Sequence, residues 1–77
     1  MDMPLEITSP LHRAFLQNVR LRREGLGLTQ RDVAQKMGVS QPSYAKLENG
    51  RYMPSLEILE KVADALNVNP IQLLLLQ

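Results

Sequence analysis

Four side chains near the start of a predicted helix could bind an external partner. Gln41, Ser43, Ala45 and Lys46 fall on the outward face of this helix, and only one of them is charged. A glutamine amide matches the hydrogen-bonding edge of adenine, and a lysine ammonium can donate to guanine. An ordinary solvated face explains the same residue types, because every surface helix has a polar side. The pattern alone leaves base recognition and a plain surface both open.

Catalytic and metal-binding chemistry lacks the residues that it needs. The 77-residue chain has no cysteine and a single histidine, His12, which we predict to lie on a helix surface. Nucleophilic catalysis needs a serine or cysteine beside a base, and a zinc site needs several cysteine or histidine ligands. No carboxylate pair and no phosphate-binding glycine loop stand out. We therefore expect no enzymatic activity, no metal and no cofactor.

Residues 29–51 are predicted to form two short helices joined by a tight turn. Thr29 and Asp32 have capping-box spacing, and Ser40 caps the second helix. Gly38 and Gly50 suit left-handed stops at the two helix ends. The positions predicted to face inward are Val33, Ala34, Met37, Val39, Tyr44, Leu47 and Glu48. Two caps, two glycine stops and a three-residue connection predict a helix-turn-helix.

Positive charge is concentrated in the segment that contains this motif. The chain as a whole carries a net charge of +1. Residues 11–53 hold eight basic and three acidic side chains, whereas the segments on either side are each negative by two charges. Such an asymmetry is what a phosphate-binding surface requires.

Two longer helices are predicted on either side of the motif. Ser9 and Pro10 start the first, which should run to about residue 24. Its apolar stripe is Leu11, Phe15, Val19 and Leu26, with the Arg22 stem covering the core and its head in water. Ser55 caps the other helix, which Asn67 stops. Its apolar positions are Leu56, Leu59, Val62, Ala63 and Leu66.

The two ends of the chain complete a single predicted domain of residues 1–77. Residues 1–8 form an N-terminal arm, which could be a short strand, a packed segment or a frayed end. Asn69 and Pro70 start a last helix within residues 69–77, covering Ile71 to about Leu76. One interpretation of its four consecutive leucines is that two are buried in the core and two are exposed at the chain end. The other is a two-fold interface through Ile71, Leu74 and Leu75. We expect the interface.

The spacing of these residues resembles the phage-repressor and Cro-type regulators, the XRE family. The resemblance covers residues 15–75. Within the motif it rests on Thr29-Gln30, Ala34, Gly38-Val39, Ser40-Gln41 and Leu47-Glu48-Asn49-Gly50-Arg51. Outside the motif it rests on Phe15, Val19, Arg23, Gly27-Leu28, Pro54-Ser55-Leu56 and Ala63-Asp64-Ala65-Leu66-Asn67-Val68. It implies an all-α, compact five-helix lambda-repressor-like domain with its helix-turn-helix in helices 2 and 3. Pro42 and Tyr44 depart from the usual pattern.

The resemblance also implies roles for individual residues. The second helix of such a motif lies in the major groove with its N-terminal residues at the base edges. Gln41 and Lys46 would then read bases, with Ser43 and Ala45 as secondary readers. The implied DNA-backbone contacts are Thr29, Gln30, Asn49 and Arg51. Arg23 and Glu48 would form a buried ion pair, and Arg23 has a phosphate contact as its alternative role.

The expected function is a sequence-specific, cytoplasmic transcriptional regulator, a repressor or autoregulator. It would bind a two-fold DNA operator as a homodimer, with no membrane association. An antitoxin that binds a toxin protein and autoregulates its operon is the alternative. A third hypothesis is a protein-interaction module that has lost DNA binding.

Overall fold

The structure is a computed structural model that describes residues 9–75, in which four α-helices precede a short 3-10 helix. The helices are α1 (Pro10–Gly25), α2 (Gln30–Met37), α3 (Gln41–Glu48) and α4 (Leu56–Ala65), and the 3-10 helix spans Pro70–Leu74. No strand occurs within residues 9–75, and the predicted all-α class is confirmed. The predicted arm of residues 1–8 and the last two residues lie outside the described part of the chain.

Each α-helix begins at the side-chain cap that the sequence predicts. Ser9, Ser40 and Ser55 each accept a hydrogen bond from the backbone amide three residues on, at 3.1–3.2 Å. Thr29 and Asp32 form the reciprocal capping box, in which the Asp32 carboxylate accepts from the Thr29 amide at 2.8 Å. Such a cap stabilises a helix by about 1 kcal/mol. The caps therefore fix where the short helices α2 and α3 start.

A left-handed glycine makes the turn between α2 and α3 sharp. Gly38 has a φ of 74°, a conformation that glycine adopts without the strain that a Cβ atom would cause. The Val39 amide then donates to the Ala34 carbonyl oxygen at 3.0 Å, so this carbonyl group at the C-terminal end of α2 has a hydrogen-bond partner. Since only three residues lie between α2 and α3, the two helices pack directly against each other.

The hydrophobic core lies where the helices and the 3-10 helix meet. Its buried members are Phe15, Val19, Val33, Ala34, Tyr44, Leu47, Leu59, Val62, Ala63, Leu66 and Leu73. The inward-facing positions predicted for α2 and α3 agree with this core, and Met37 and Val39 pack against its edge. The helix-turn-helix is thus held on a base formed by α1, α4 and the 3-10 helix.

The predicted inward face of α1 is wrong at three positions. Leu11 and Leu26 are 56% and 43% exposed, whereas His12, predicted at the surface, is only 6% exposed. The reason is that α1 packs against the C-terminal 3-10 helix. This contact buries the face of α1 that carries His12, Phe15 and Asn18. Residues three apart share one face of a helix, so this face agrees with the helical period as well as the predicted stripe does.

Asn18 shows why a polar residue lies on that face. Its Nδ2 atom donates to the carbonyl oxygens of Leu73 at 3.0 Å and Leu75 at 2.8 Å. Buried carbonyl groups at the end of a helix need such donors because no helical amide follows them. A side-chain amide in α1 therefore fastens the C-terminal segment to the core.

The guanidinium group of Arg22 makes two hydrogen bonds that were not predicted from the sequence. Its Nε and Nη2 atoms donate to the carbonyl oxygens of Leu66 and Asn67, at 3.0 and 3.1 Å. The guanidinium group therefore caps the C-terminal end of α4, where a positive charge is favourable. Its contact with Asn67 is exposed to solvent, as expected for this head group.

The prediction of a fifth helix from Ile71 to about residue 76 is wrong in two respects, because the element is not an α-helix and it ends at Leu74. The element is a five-residue 3-10 helix, and Leu75 after it is extended, with φ −72° and ψ 133°. The carbonyl oxygens of Gln72, Leu73 and Leu75 accept hydrogen bonds from the Asn18 side chain of α1. Consequently only Leu73 is fully buried, whereas Ile71 and Leu75 are 66% and 55% exposed and Leu74 is half-buried.

Candidate nucleic-acid interface

The outward face of α3 presents the residues predicted to read bases. Gln41, Ser43 and Lys46 are exposed, and Ala45 is half-buried. The opposite face is held rigidly, because Tyr44 and Leu47 are each 1% exposed in the core. Because one face of α3 is packed in the core and the other is exposed to solvent, α3 can contact a partner without a change in its own position.

Gln41 is held by a neighbouring amide. Its Nε2 atom donates to Oε1 of Gln30, the first residue of α2, at 3.3 Å. Ser43 is engaged within its own helix cap, since its hydroxyl oxygen accepts from the Ser40 hydroxyl at 2.9 Å. The structure thus brings Gln41 and Gln30 together, and it leaves Lys46 further along the open face.

The four residues that the resemblance assigns to the DNA backbone lie at the ends of the two helices. Thr29 is the N-cap of α2 and Gln30 follows it, whereas Asn49 is the C-cap of α3 and Arg51 comes two residues later. The Thr29 hydroxyl oxygen accepts from the Asp32 amide at 3.0 Å, so its proton remains available to a phosphate. Asn49 and Arg51 are exposed.

The two basic residues of this surface are not neutralised within the described chain. Among residues 9–75, neither Lys46 nor Arg51 has a carboxylate within 4.0 Å. By contrast, Lys61 on α4 lies 3.8 Å from Glu57. The positive charge beside α3 is therefore available to an anion such as a phosphate.

A buried carboxylate connects α3 with both preceding helices. The Glu48 side chain is fully buried, and both of its oxygens accept from Arg23 of α1 at 2.8 Å. The Tyr44 hydroxyl donates to Oε1 at 2.7 Å, and Gln30 Nε2 donates to Oε2 at 3.3 Å. Arg20 adds a longer contact to Oε2 at 3.4 Å. The structure thus places Arg23 and Glu48 as a two-point ion pair, with Tyr44 and Gln30 as further donors.

The comparison with known families matches most of this architecture. A family described as Helix-turn-helix (HTH_3) matches residues 19–73. The chain belongs to that family. It is a DNA-binding transcriptional regulator of the phage-repressor (XRE) type, and the resemblance found in the sequence is confirmed.

Similar proteins are regulators. An uncharacterized HTH-type transcriptional regulator from Methanothermobacter thermautotrophicus is 44% identical to this chain over 48 residues. The aligned stretch covers 62% of this chain and 70% of that regulator. An equally long stretch is 40% identical to the cryptic phage CTXphi transcriptional repressor RstR of Vibrio cholerae, and it covers 43% of that repressor. The fold matches the crystal structure of the hypothetical transcription factor NHTF from Neisseria with a TM-score of 0.80. That match has 32% identity and covers 96% of this chain and 87% of the other.

Two further properties of the described residues concern membranes and metals. None of the helices within residues 9–75 has the length and apolar character that a membrane span requires. No group of three metal-ligating histidine, cysteine or carboxylate side chains occurs in the same range.

The environment of the buried cluster shifts the pKa values of Glu48 and Tyr44. Burial by itself raises the pKa of Glu48, but hydrogen bonds from Arg23, Tyr44 and Gln30 outweigh it and lower the pKa to about 2. The pKa of Tyr44 is raised well above its ordinary value by burial and by the adjacent carboxylate. Glu48 is therefore ionised, and Tyr44 is a neutral hydrogen-bond donor, over the whole physiological range.

We expect a corresponding loss of stability in acid. A carboxyl group whose pKa falls from 4.5 in the unfolded chain to about 2 in the folded chain stabilises the fold fully above pH 4.5, and this contribution disappears as the pH falls to 2. Urea unfolding measured from neutral pH down to pH 2 should show this decline in the parent. A Glu48→Gln variant, which cannot titrate, should show a smaller decline in that window. Parallel pH curves for the two proteins would contradict the assignment.

Sequence reasoning missed several members of this cluster. Arg20 and Gln30 were not predicted as partners of Glu48, and Tyr44 was predicted only as an inward-facing residue. One available signal was the spacing of Tyr44 and Glu48, four residues apart on one helix, which places their side chains side by side. The Arg20 and Gln30 contacts join separate helices, and no spacing along the chain indicates them.

Proposed function

We propose that this chain regulates transcription by binding a two-fold DNA operator as a homodimer, with α3 in the major groove. The observation that carries the proposal is the open face of α3, on which Gln41 and Lys46 are exposed and Lys46 has no carboxylate partner within residues 9–75. In helix-turn-helix dimers, half-sites lie about one helical turn, roughly 34–36 Å, apart or at multiples of that distance. A bound dimer of this size acts on a promoter through its occupancy, and we propose repression or autoregulation.

The proposed roles divide the surface into base readers and backbone contacts. Gln41 and Lys46 read base edges, and Ser43 and Ala45 contribute secondary contacts. Thr29, Gln30, Asn49 and Arg51 bind the phosphate backbone at the ends of α2 and α3. Backbone contacts position the protein on DNA, whereas base contacts specify sequence.

The proposed dimer interface lies at the C-terminal end of the described chain. Ile71 and Leu75 expose most of their side chains there, and Leu74 is half-buried beside them. Large apolar side chains that remain in water favour association with a second copy. A closed two-fold contact of this kind matches the symmetry of a two-fold operator.

Two substitutions test the division of roles. Lys46→Ala should relax the preference at one or two base pairs, at a cost of about 1–3 kcal/mol on the best duplex. Arg51→Ala should weaken all sequences alike and reduce the slope of affinity against salt concentration. The measurement is fluorescence anisotropy on a duplex selected from a random pool and on its scrambled form, at two salt concentrations.

Lys61→Ala provides the matched control, since Lys61 is paired with Glu57 on α4. It should change neither sequence preference nor the salt slope. If Lys46→Ala behaved like Arg51→Ala, Lys46 would be a backbone contact and its base-reading role would be wrong.

A second candidate function is that of an antitoxin whose main partner is a toxin protein. The observation that favours it is an apolar groove of about 130 Å³ beside the start of α1, lined by Leu11, Phe15, Met53, Leu56, Leu59 and Leu74 among others. Leu56 and Met53 are 79% and 60% exposed, which suits a protein partner. Co-expression with a neighbouring gene product followed by co-purification in a one-to-one ratio would support it. A homodimer that retains no such partner would count against it.

A further inference from the structure

The Tyr44 hydroxyl is a polar group on the buried face of α3, which also carries Leu47 and Glu48. Its ring is 1% exposed in the core, yet its Oη atom donates to Oε1 of Glu48 at 2.7 Å. A buried hydroxyl costs stability unless it is paired, and a charged acceptor makes the pair strong. An apolar side chain would fill the same space without touching the carboxylate. The hydroxyl therefore needs an explanation beyond packing.

The Glu48 carboxylate fixes the orientation of the Gln30 amide. Oε2 of Glu48 accepts from Gln30 Nε2 at 3.3 Å. The reversed amide would bring its carbonyl oxygen against the buried carboxylate, and neither atom can donate. Gln30 must therefore direct Nε2 towards Glu48 and Oε1 towards the start of α3.

This orientation in turn determines how Gln41 faces solvent. Oε1 of Gln30 accepts from Gln41 Nε2 at 3.3 Å, so the nitrogen of the Gln41 amide is the atom nearest to α2. Within residues 9–75, the other N–H of the Gln41 amide and its Oε1 atom have no hydrogen-bond partner. These are the donor and acceptor that pair with N7 and N6 of adenine in the major groove.

Tyr44 acts at the beginning of this series of hydrogen bonds. Both oxygens of Glu48 already accept from Arg23, at 2.8 Å each. Without the Tyr44 donor, Oε1 would depend on Arg23 alone, and the carboxylate could turn away from the longer contact with Gln30. The Gln30 amide would then be free to reverse, and Gln41 would lose its fixed orientation.

We infer that Tyr44 is a positioning residue for base recognition, which orients the amide of Gln41 through Glu48 and Gln30. This inference rests on the proposed function, because it concerns how the same surface reads sequence. It assigns part of the DNA specificity to a buried hydroxyl that lies on the opposite side of α3 from the groove. Tyr44 itself touches no base.

The test compares Tyr44→Phe with Tyr52→Phe, which removes the hydroxyl of the exposed tyrosine outside the cluster. Affinities are measured for the duplex selected by the parent, for single-base-pair variants of it and for a scrambled duplex. Tyr44→Phe should reduce the preference at the base pair read by Gln41 by about three- to tenfold, part of the discrimination that a bidentate contact supplies. Its affinity for scrambled DNA and its salt slope should match those of the parent and of Tyr52→Phe.

A double variant separates positioning from a general structural role. In a Gln41→Ala background, Tyr44→Phe should cause no further loss of preference, because the side chain through which it acts is absent. An equal loss in both backgrounds would overturn the inference. So would a uniform loss on cognate and scrambled DNA, which would mean that Tyr44 only supports the fold.

A measurement without DNA keeps the outcome distinct from that of the proposed function. Tyr44→Phe should shift the side-chain amide NMR signals of Gln30 and Gln41, whereas Tyr52→Phe should leave them unchanged. Unaltered amide signals in a folded Tyr44→Phe protein would overturn the inference whatever the DNA result. If the parent showed no sequence preference, the proposed function would fail. The inference would then fail as a statement about base reading. Shifted amide signals would still establish the series of hydrogen bonds from Tyr44 to Gln41.

Discussion

Replacing Glu48 by alanine is expected to lower the free energy of unfolding by about 3–5 kcal/mol, the range found when one partner of a buried ion pair is removed. Glu48 accepts hydrogen bonds from Arg23 and Tyr44 at 2.7–2.8 Å. Its removal leaves a guanidinium group that is largely out of water, since the Arg23 side chain is 13% exposed. It also leaves the Tyr44 hydroxyl without that acceptor. The loss should appear as a lower Tm and a lower midpoint in urea.

Glu24→Ala is the matched control for this prediction. Glu24 also contacts Arg23, at 4.0 Å, but its side chain is 59% exposed. An exposed ion pair of this kind contributes about 0–1 kcal/mol, so the control should unfold almost like the parent. A Glu48→Ala protein with the Tm of the parent would show that the cluster does not hold α3 in place.

The second large effect is expected at the C-terminal apolar surface. Leu75→Glu and Ile71→Glu should each convert the proposed dimer into monomers, because a charge at a buried apolar contact is strongly unfavourable. Loss of the dimer removes the second half-site contact, and affinity for a two-fold operator should fall by about 10²–10⁴-fold. Light scattering measures the mass, and anisotropy on the selected duplex measures the affinity.

The choice of position and control follows from the structure. Leu74 is half-buried against the core, so Leu74→Glu would damage the fold as well as an interface. Leu21 on α1 is 53% exposed, close to the 55% of Leu75, and Leu21→Glu should leave the mass unchanged. An unchanged dimer mass in both Leu75→Glu and Ile71→Glu would contradict an interface at this end of the chain.

The helix-turn-helix could be predicted from the sequence because its limits are set locally. Thr29 and Ser40 supply caps within one helical turn of the amides that they bind, and Gly38 sets the turn through its own backbone conformation. These interactions depend on spacing along the chain. The inward-facing side of α3 could be predicted for the same reason, since Tyr44 and Leu47 follow the helical period.

The errors arose where distant segments decide the outcome. His12 and Asn18 are buried because the 3-10 helix packs on α1, and no local pattern specifies that contact. Arg22 binds the end of α4, which is more than forty residues away. The last helix is 3-10 in form, and carbonyl groups at its end are bound by a side chain of α1. For the candidate site, residue types suggested Gln41 and Gln30, but not the hydrogen bond between them or the further connection from Gln30 through Glu48 to Tyr44.

Selection of bound duplexes from a randomised pool tests most directly the claim that α3 reads a two-fold DNA sequence. The winning sequence should be a palindrome whose half-sites lie about one helical turn, roughly 34–36 Å, apart or at a multiple of that distance. Its affinity should exceed that for random DNA and persist at a salt concentration where non-specific binding is lost. Recovery of no enriched sequence, with weak binding that disappears equally for all duplexes as salt is raised, would contradict the claim.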